Sequence, residues 1–424
     1  MRKLIKKCTV FMLSILFVSS MLTACGDSGQ DGVTQIHVVQ YKPEAVAFFE
    51  RLQEEFNATH NDIQLTIESP NDAMTILKTK FVREDYPDII GIGGDMNYSY
   101  FVDANILADI SDYEGLKEIK PAYLEMLEGL EFVPTEGTFA LPYVANAAGV
   151  LYNKDMFEEH GWQIPTTWSE FMALCEQIKS EQIQPLYFGF RDIWTCLAPW
   201  NALAVGLAPA DVCAQVNRKE TTFQQEYGLV ADRIMEMLAY AQSGPFAYNY
   251  NDACIAFANG ETAMYAIGSY AVPQIKSVNP DINIDSFVMP ANDDASKNIL
   301  NSGIDLQFCL TKECKNKEAA YEVLDFLLEH DNMQAYLDDQ NAVPCKDEAF
   351  ELAPMLDGMA SYIEEGKMSD YHDHHYPSEM AVDGMIQTYL MEQDKDAFLK
   401  KFDTDWLRYN RDIIRKVEQY EAGQ

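Results

Sequence analysis

Two hydrophobic periods alternate along this chain, and that alternation constrains its fold more than any other feature. Ile36–Val39 (IHVV) is a short apolar strand, and Val46, Phe49, Leu52 and Phe56 follow at helical spacing. Ile63, Leu65 and Ile67 alternate with polar neighbours, as a half-buried strand does. Asp88–Ile92 is a nearly continuous apolar run ending at Gly93-Gly94, which suits a buried parallel strand that meets a loop. Thr167-Trp168-Ser169-Glu170 reads as a capping box, and Phe171, Leu174 and Ile178 then give one apolar face. Glu318–Glu329 repeats the helical pattern with Ala320, Leu324, Leu327 and Leu328. Repeated switching between period two and period 3.6 predicts an α/β fold with mainly parallel sheets. A length of 424 residues exceeds what one core supports, so two domains are expected.

The N-terminus sets the compartment. Arg2, Lys3, Lys6 and Lys7 precede an apolar stretch over residues 8–22, and Leu22-Thr23-Ala24-Cys25 follows at once. A basic start, a short apolar run and small residues before a cleavage point describe a secretory signal peptide over 1–24. Fifteen residues rise about 22 Å as a helix, short of a hydrocarbon core of roughly 30 Å. The polar run 26–32 (GDSGQDG) reads as a flexible tether. Losing the four basic residues takes the net charge from −36 to −40. Such a surface repels nucleic-acid phosphates and anionic headgroups. No later apolar run approaches 18 residues, so the mature chain is predicted to be soluble. The seven cysteines beyond Cys25 are scattered and contain no C-x-x-C pair, which argues against a zinc knuckle or a disulfide framework.

Several blocks then line up in order with one family. These are Tyr86-Pro87-Asp88-Ile89-Ile90, then Asn105–Ile110, then GTFALPYVANAAGVLYNKDMFEEHGWQIPTTW over Gly137–Trp168. FANGETAMYAIGSY over Phe257–Tyr270 and KNKEAAYEVLDFL leading to NAVP within Thr311–Pro344 complete the series. Together they resemble the extracellular solute-binding proteins of the maltose-binding type, the substrate-binding subunits of carbohydrate ABC importers. The L-T-A-C ending is similar to a lipobox, whose cysteine (here Cys25) is lipidated. The resemblance implies a two-lobed, periplasmic-binding-protein-like α/β fold of type II with three hinge crossovers. These would fall near Tyr143–Ala147, Asn292–Leu300 and Asn341–Pro344. Residues 33–144 with 298–342 would form the N-terminal lobe, and 145–297 with 343–424 the C-terminal lobe. It further implies a monomer held to the outer face of the cell membrane by its lipid alone. That monomer would capture a carbohydrate, an oligosaccharide by preference, and deliver it to ABC permease subunits, without a cofactor.

A sugar presents hydroxyls in fixed directions and an apolar C–H face, so its site needs carboxylates, amides and aromatic rings. Tyr41 and Lys42 follow the first strand and are either ligand contacts or a solvated loop. Asp95 falls where the maltose-binding type has a sugar-binding aspartate, and that reading is preferred to the alternative of a cap on the next helix. Asn146 stands in the first crossover, where maltose binders carry a glutamate. Trp194 is either a ring platform or a core residue, and Arg191 and Asp192 beside it could pair and order the loop. Ser269 and Tyr270 match the family's Gly-x-Trp segment, with tyrosine in place of the stacking tryptophan; Tyr270 is the leading candidate. Gly303 and Asp305 follow the second crossover, and Asp305 could instead pair with a neighbouring base. Tyr376 is expected as a further aromatic contact at the cleft edge.

Competing classes are weighed on the same residues. His372, His374 and His375 with Asp370 and Asp373 could suit zinc, but no H-E-x-x-H occurs, and no metal site is assigned. There is no G-x-S-x-G elbow, P-loop or dinucleotide glycine motif, so no enzymatic activity is expected. The alternatives are a non-sugar solute such as a polyamine, and a surface lipoprotein that binds a macromolecular partner.

Overall fold

The structure, a computed structural model, describes residues 32–423. The expected signal peptide, Cys25 and nearly all of the tether lie outside the described residues.

The first lobe is built on a six-stranded sheet in the order β10-β4-β9-β3-β1-β2. Its strands are β1 (Thr34–Gln40), β2 (Ile63–Glu68), β3 (Ile89–Ile92), β4 (Leu141–Ala145), β9 (Ile304–Leu310) and β10 (Val343–Pro344). The second lobe carries a three-stranded sheet of β5 (Val150–Asn153), β6 (Met264–Tyr265) and β7 (Ile284–Phe287), in the order β6-β5-β7. A short ribbon of β8 (Leu300–Asn301) and β11 (Met368–Ser369) lies at the junction.

The expectation of mainly parallel sheets is corrected. Within the six-stranded sheet only β1, β2 and β3 pair in parallel, as the short β8–β11 ribbon also does; β9 runs against both β3 and β4, and the second-lobe sheet is wholly antiparallel. The reason is topological. The chain leaves the first lobe at the C-terminal end of β4 and returns on β9. It re-enters the sheet at the end where β1, β3 and β4 leave it, so β9 must oppose them. This arrangement brings the C-termini of β1, β3 and β4 and the N-terminus of β9 to one edge.

The third crossover also falls later than expected. β10 pairs with β4 in the first sheet, and Asp347 N–H still donates to the Glu118 carbonyl at 2.6 Å. Residues 343–347 therefore belong with the first lobe, because Val343 and Pro344 complete that sheet's edge.

The hydrophobic stripes form the cores. β3 is buried at all four positions, as its continuous apolar run requires. On the helix Val46–Thr59, Phe49, Leu52 and Phe56 are buried as expected, but Val46 is exposed at the first turn and Phe48 is buried instead. Phe48 meets the ring of Tyr336 edge-on at 5.0 Å. In the second lobe, Trp200, Phe223, Phe402 and Trp406 pack as one aromatic cluster. The helix Trp168–Ser180 opens with the capping box: Glu170 N–H donates to Thr167 Oγ1, and Glu170 Oε2 accepts from Thr167 N–H. This exchange satisfies two otherwise orphaned donors. All seven described cysteines are unpaired, and all but Cys314 are buried.

Candidate ligand-binding cleft

The edge where strands leave the first sheet faces the second lobe, and most of the candidate residues meet there. Tyr41 and Lys42 follow β1, Asp95 follows β3, Asn146 follows β4, and Gly303 and Asp305 flank the start of β9. Lys42 Nζ binds both oxygens of Asp305, at 3.1 and 2.9 Å, and also Glu44 at 2.9 Å. Burial alone would lower the Lys42 pKa; the Asp305 and Glu44 carboxylates override it and raise it. The Tyr41 hydroxyl donates to the Asp305 carbonyl. Asp305 thus pairs with a base, as one of its two sequence readings anticipated, and fixes the loops after β1 and before β9.

Asp95 does cap a helix. Its Oδ1 accepts the Asn97 N–H at 2.8 Å and starts the helix Met96–Asp103. Beyond the larger effects of burial and of Asp305 or Asp370, the charge of Asp95 also raises the pKa of Tyr41 and of His374. The Asn146 N–H donates to the Gly303 carbonyl at 3.2 Å, while its Oδ1 is buried with no partner among the described residues. An unpartnered buried acceptor is costly unless something donates to it.

The second lobe supplies aromatic rings. Trp194 lies in the turn Ile193–Cys196 and Tyr270 in the turn Ser269–Ala271. They are 41% and 37% exposed, in a chain whose other four tryptophans are buried. Their ring centroids lie 6.2 Å apart at 53°, and Tyr250 flanks Trp194 at 5.1 Å. Trp194 is therefore not a core residue. The ring of Tyr270 is open, while its hydroxyl end is crowded; burial and then the Asp373 carboxylate push its pKa up. Ser269 is buried, and its N–H donates to the Ala147 carbonyl at 2.8 Å, which ties the Tyr270 turn to the first crossover. Arg191 and Asp192 do not pair: Asp192 Oδ2 accepts the Tyr250 N–H at 3.0 Å, which positions the third ring.

The segment Asp370–Tyr376 closes the junction. Asp370 Oδ1 accepts from His374 Nδ1 at 2.7 Å, and Asp370 Oδ2 lies 3.5 Å from His375 Nε2. Burial opposes ionisation of Asp370, but His374 and His375 override it and bring its pKa down to about 2. Burial likewise opposes the charged form of His374, but Asp370 prevails and raises it to about 9. His372 turns the other way, into the second core, where Tyr227 lies 3.0 Å from its Nδ1 and burial lowers its pKa to about 3. The histidines thus serve an ion pair and a core contact. No group of three or more metal-ligating side chains is arranged to hold an ion among the described residues.

One expectation needs correction. Tyr376 is not at the cleft edge: it is buried in the second core, its hydroxyl 2.7 Å from that of Tyr227 and 3.4 Å from Trp200 Nε1. At Gly303 the backbone turn is tightly packed. A Cβ there would overlap Asp370 Oδ1 and come within 2.7 Å of His374 Cε1, so its backbone lies flush against the other lobe. Sequence reasoning missed Tyr371 and Asp373 as cleft residues. The Tyr371 hydroxyl and Asp373 Oδ1 are buried without partners among the described residues, and both groups influence or are influenced by Tyr270. The only signal was the dense polar and aromatic run DYHDHHY, which read as a metal candidate.

The cleft therefore combines an exposed aromatic pair with buried, unsatisfied acceptors and a hydroxyl. It can hold a molecule that has an apolar face and several hydrogen-bonding groups.

Comparison with known proteins agrees with this geometry. The profile of the bacterial extracellular solute-binding protein family matches residues 42–334, more than half of the chain. The multiple sugar-binding protein of Streptococcus mutans is 27% identical over 341 residues, covering 78% of this chain and 79% of its own. The apo form of RafE from Streptococcus pneumoniae superposes with a TM-score of 0.79 at 23% identity, over 89% of this chain and 98% of that one. RafE in complex with raffinose superposes at 0.74, also at 23% identity, over 88% and 99%. The chain belongs to the bacterial extracellular solute-binding protein family, whose members bind solutes rather than transform them.

Proposed function

We propose that this protein captures a carbohydrate in the cleft between its lobes and delivers it to the permease of an ABC importer. The observation that carries the reading is the Trp194–Tyr270 pair, two exposed rings beside unpartnered buried acceptors. Stacked rings suit the C–H face of a sugar, and acceptors such as Asn146 Oδ1 and Asp373 Oδ1 suit its hydroxyls. The sugar-binding relative from Streptococcus mutans supports the same class of ligand. Lobe closure about the crossovers would bury the ligand and present a changed surface to the permease. The protein acts as a monomer anchored to the outer face of the membrane through lipid on Cys25. No helix among the described residues is long and apolar enough to cross a membrane.

A thermal-shift screen tests the ligand class. Oligosaccharides should raise the melting temperature, since a ligand at a hundredfold excess over Kd stabilises by about 2.7 kcal/mol. A shift with polyamines alone, or with nothing, contradicts the reading. For the anchor, Cys25→Ser should abolish incorporation of labelled palmitate, and retained label would remove that assignment.

A further inference from the structure

The two lobes also wall a chamber of about 580 Å³ that is separate from the aromatic pair, since none of Trp194, Tyr270, Asn146, Tyr371 or Asp373 lines it. Its volume falls within the usual range for ligand pockets, roughly 300–1,000 Å³. The first lobe contributes Met96, Met126 and Phe132, and the second contributes Met368 and Tyr420. All five are only half-buried, so they keep surface to give to an occupant. Methionine adapts to irregular apolar shapes, and the ring of Phe132 is held edge-on against Tyr100 at 5.2 Å. The helices Met96–Asp103 and Arg411–Ala422 both supply wall residues, and an Asp103–Lys416 ion pair ties them across the lobes.

The charges on the wall select the occupant. Six carboxylates line the chamber, those of Glu125, Glu128, Glu131, Asp211, Asp370 and Glu421, against two basic side chains, Arg218 and His375. Both bases are engaged: Arg218 binds Asp211 and Glu220 at 3.2 and 2.9 Å, and His375 lies 3.5 Å from Asp370. An anion would therefore meet repulsion and no free base. Burial holds the Glu131 carboxyl above its usual range, although Thr135 N–H donates to it at 2.9 Å, and the charge of Glu128 adds to that rise. A positive charge at this point would relieve both carboxylates, and the faces of Phe132 and Tyr420 attract cations as well. Asn410 is 1% exposed and lines the chamber, and its Nδ2 has no partner among the described residues. Such a donor calls for an acceptor.

We propose that this chamber is a binding site for a hydrophobic cation: a largely apolar, ring-containing molecule with one positive charge and an ether or ring-nitrogen acceptor. The methionines and rings hold its body, Glu128 and Glu131 meet its charge, and Asn410 meets its acceptor. The site is independent of the carbohydrate cleft and does not rest on that reading.

Three phenoxazine dyes of similar shape provide the test. Near neutral pH Nile blue is a cation, Nile red is neutral and resorufin is an anion. Fluorescence titration of the full protein would be run at about 0.15 M salt, where charges beyond about 8 Å are largely screened, so that the local carboxylates set the ranking. Nile blue should bind at one equivalent and at least tenfold more tightly than Nile red, and resorufin should not bind. Gly129 lines the chamber near the end of the helix Pro121–Leu130, and a Cβ there would meet no atom within 4 Å. Gly129→Trp therefore fills the space without a clash at the backbone, and leaving glycine favours the helix. That variant should weaken Nile blue at least tenfold. Glu128→Gln with Glu131→Gln should remove most of the preference for Nile blue while leaving the Nile red Kd within twofold. Tyr270→Ala should leave the Nile blue Kd within twofold. No binding of Nile blue, or equal binding of the three dyes, overturns the proposal. So does Nile blue binding that survives Gly129→Trp or is lost in Tyr270→Ala. Should Gly129→Trp melt early, the glutamine pair decides, and an unchanged dye preference there overturns the site.

Discussion

Tyr270→Ala is expected to weaken carbohydrate binding at least tenfold, about 1.4 kcal/mol, while changing stability by less than about 1 kcal/mol. The two expectations separate because of where the ring sits. It is 37% exposed and meets Trp194 at the surface of the cleft rather than in either core, so its removal opens no internal cavity. Its loss removes one face of the platform. Trp194→Ala removes the other, and the two side chains share a partner in the ligand, so their effects should not add. Calorimetric titration gives the affinity and thermal unfolding gives the stability. A variant that unfolds more readily but binds as tightly per folded molecule would make Tyr270 a packing residue.

Asp370→Asn is expected to destabilise the protein by roughly 3 kcal/mol near neutral pH, the scale for breaking a largely buried ion pair. Asp370 and His374 sit at the seam where Gly303 of the first lobe touches the second. The sign of the pH dependence follows from the shifts. The Asp370 pKa is depressed to about 2, so its contribution is present above the ordinary carboxylate range and disappears as pH falls through about 2. The His374 pKa is raised to about 9, so its contribution is complete below the ordinary imidazole range and is lost as pH rises toward about 9. The pair therefore stabilises most between about pH 4 and 6.5 and fades above that. In Asp370→Asn the excess stability and its decline between about pH 6.5 and 9 should both shrink, and an NMR titration should show the His374 pKa falling. Asp95, Asp373 and His375 also face this pair, so a residual shift on His374 is expected. An unchanged His374 titration would mean that the pair does not form.

How much of this was legible in the sequence depended on the range of the interaction. Local signals were read well. The Thr167 capping box spans four residues, and the burial of β3 follows from one continuous apolar run. The order of motifs carried the fold, because several short blocks in a fixed sequence leave few topologies. Strand direction was not local: β9 opposes its neighbours because of where the chain returns, which no window of residues records. Asp95 was open between capping and ligand contact, and the structure shows the cap. Tyr376 was misplaced because its hydroxyl partners, Tyr227 and Trp200, lie 149 and 176 residues away. The histidine run failed as a metal signal for a geometric reason. The turn His372–His375 sends one ring into the core and two toward Asp370, so adjacency in sequence did not become convergence in space. The unpartnered atoms of Asn146, Tyr371 and Asp373 were invisible, because satisfaction is a property of the whole neighbourhood.

The most direct test of the central claim is a crystal structure of the protein with the oligosaccharide that stabilises it most. The account predicts one sugar ring packed on Trp194 and Tyr270, with hydroxyls within hydrogen-bond distance of Asn146 Oδ1 and Asp373 Oδ1. A sugar bound away from those rings, or a cleft occupied by a different kind of solute, would contradict it.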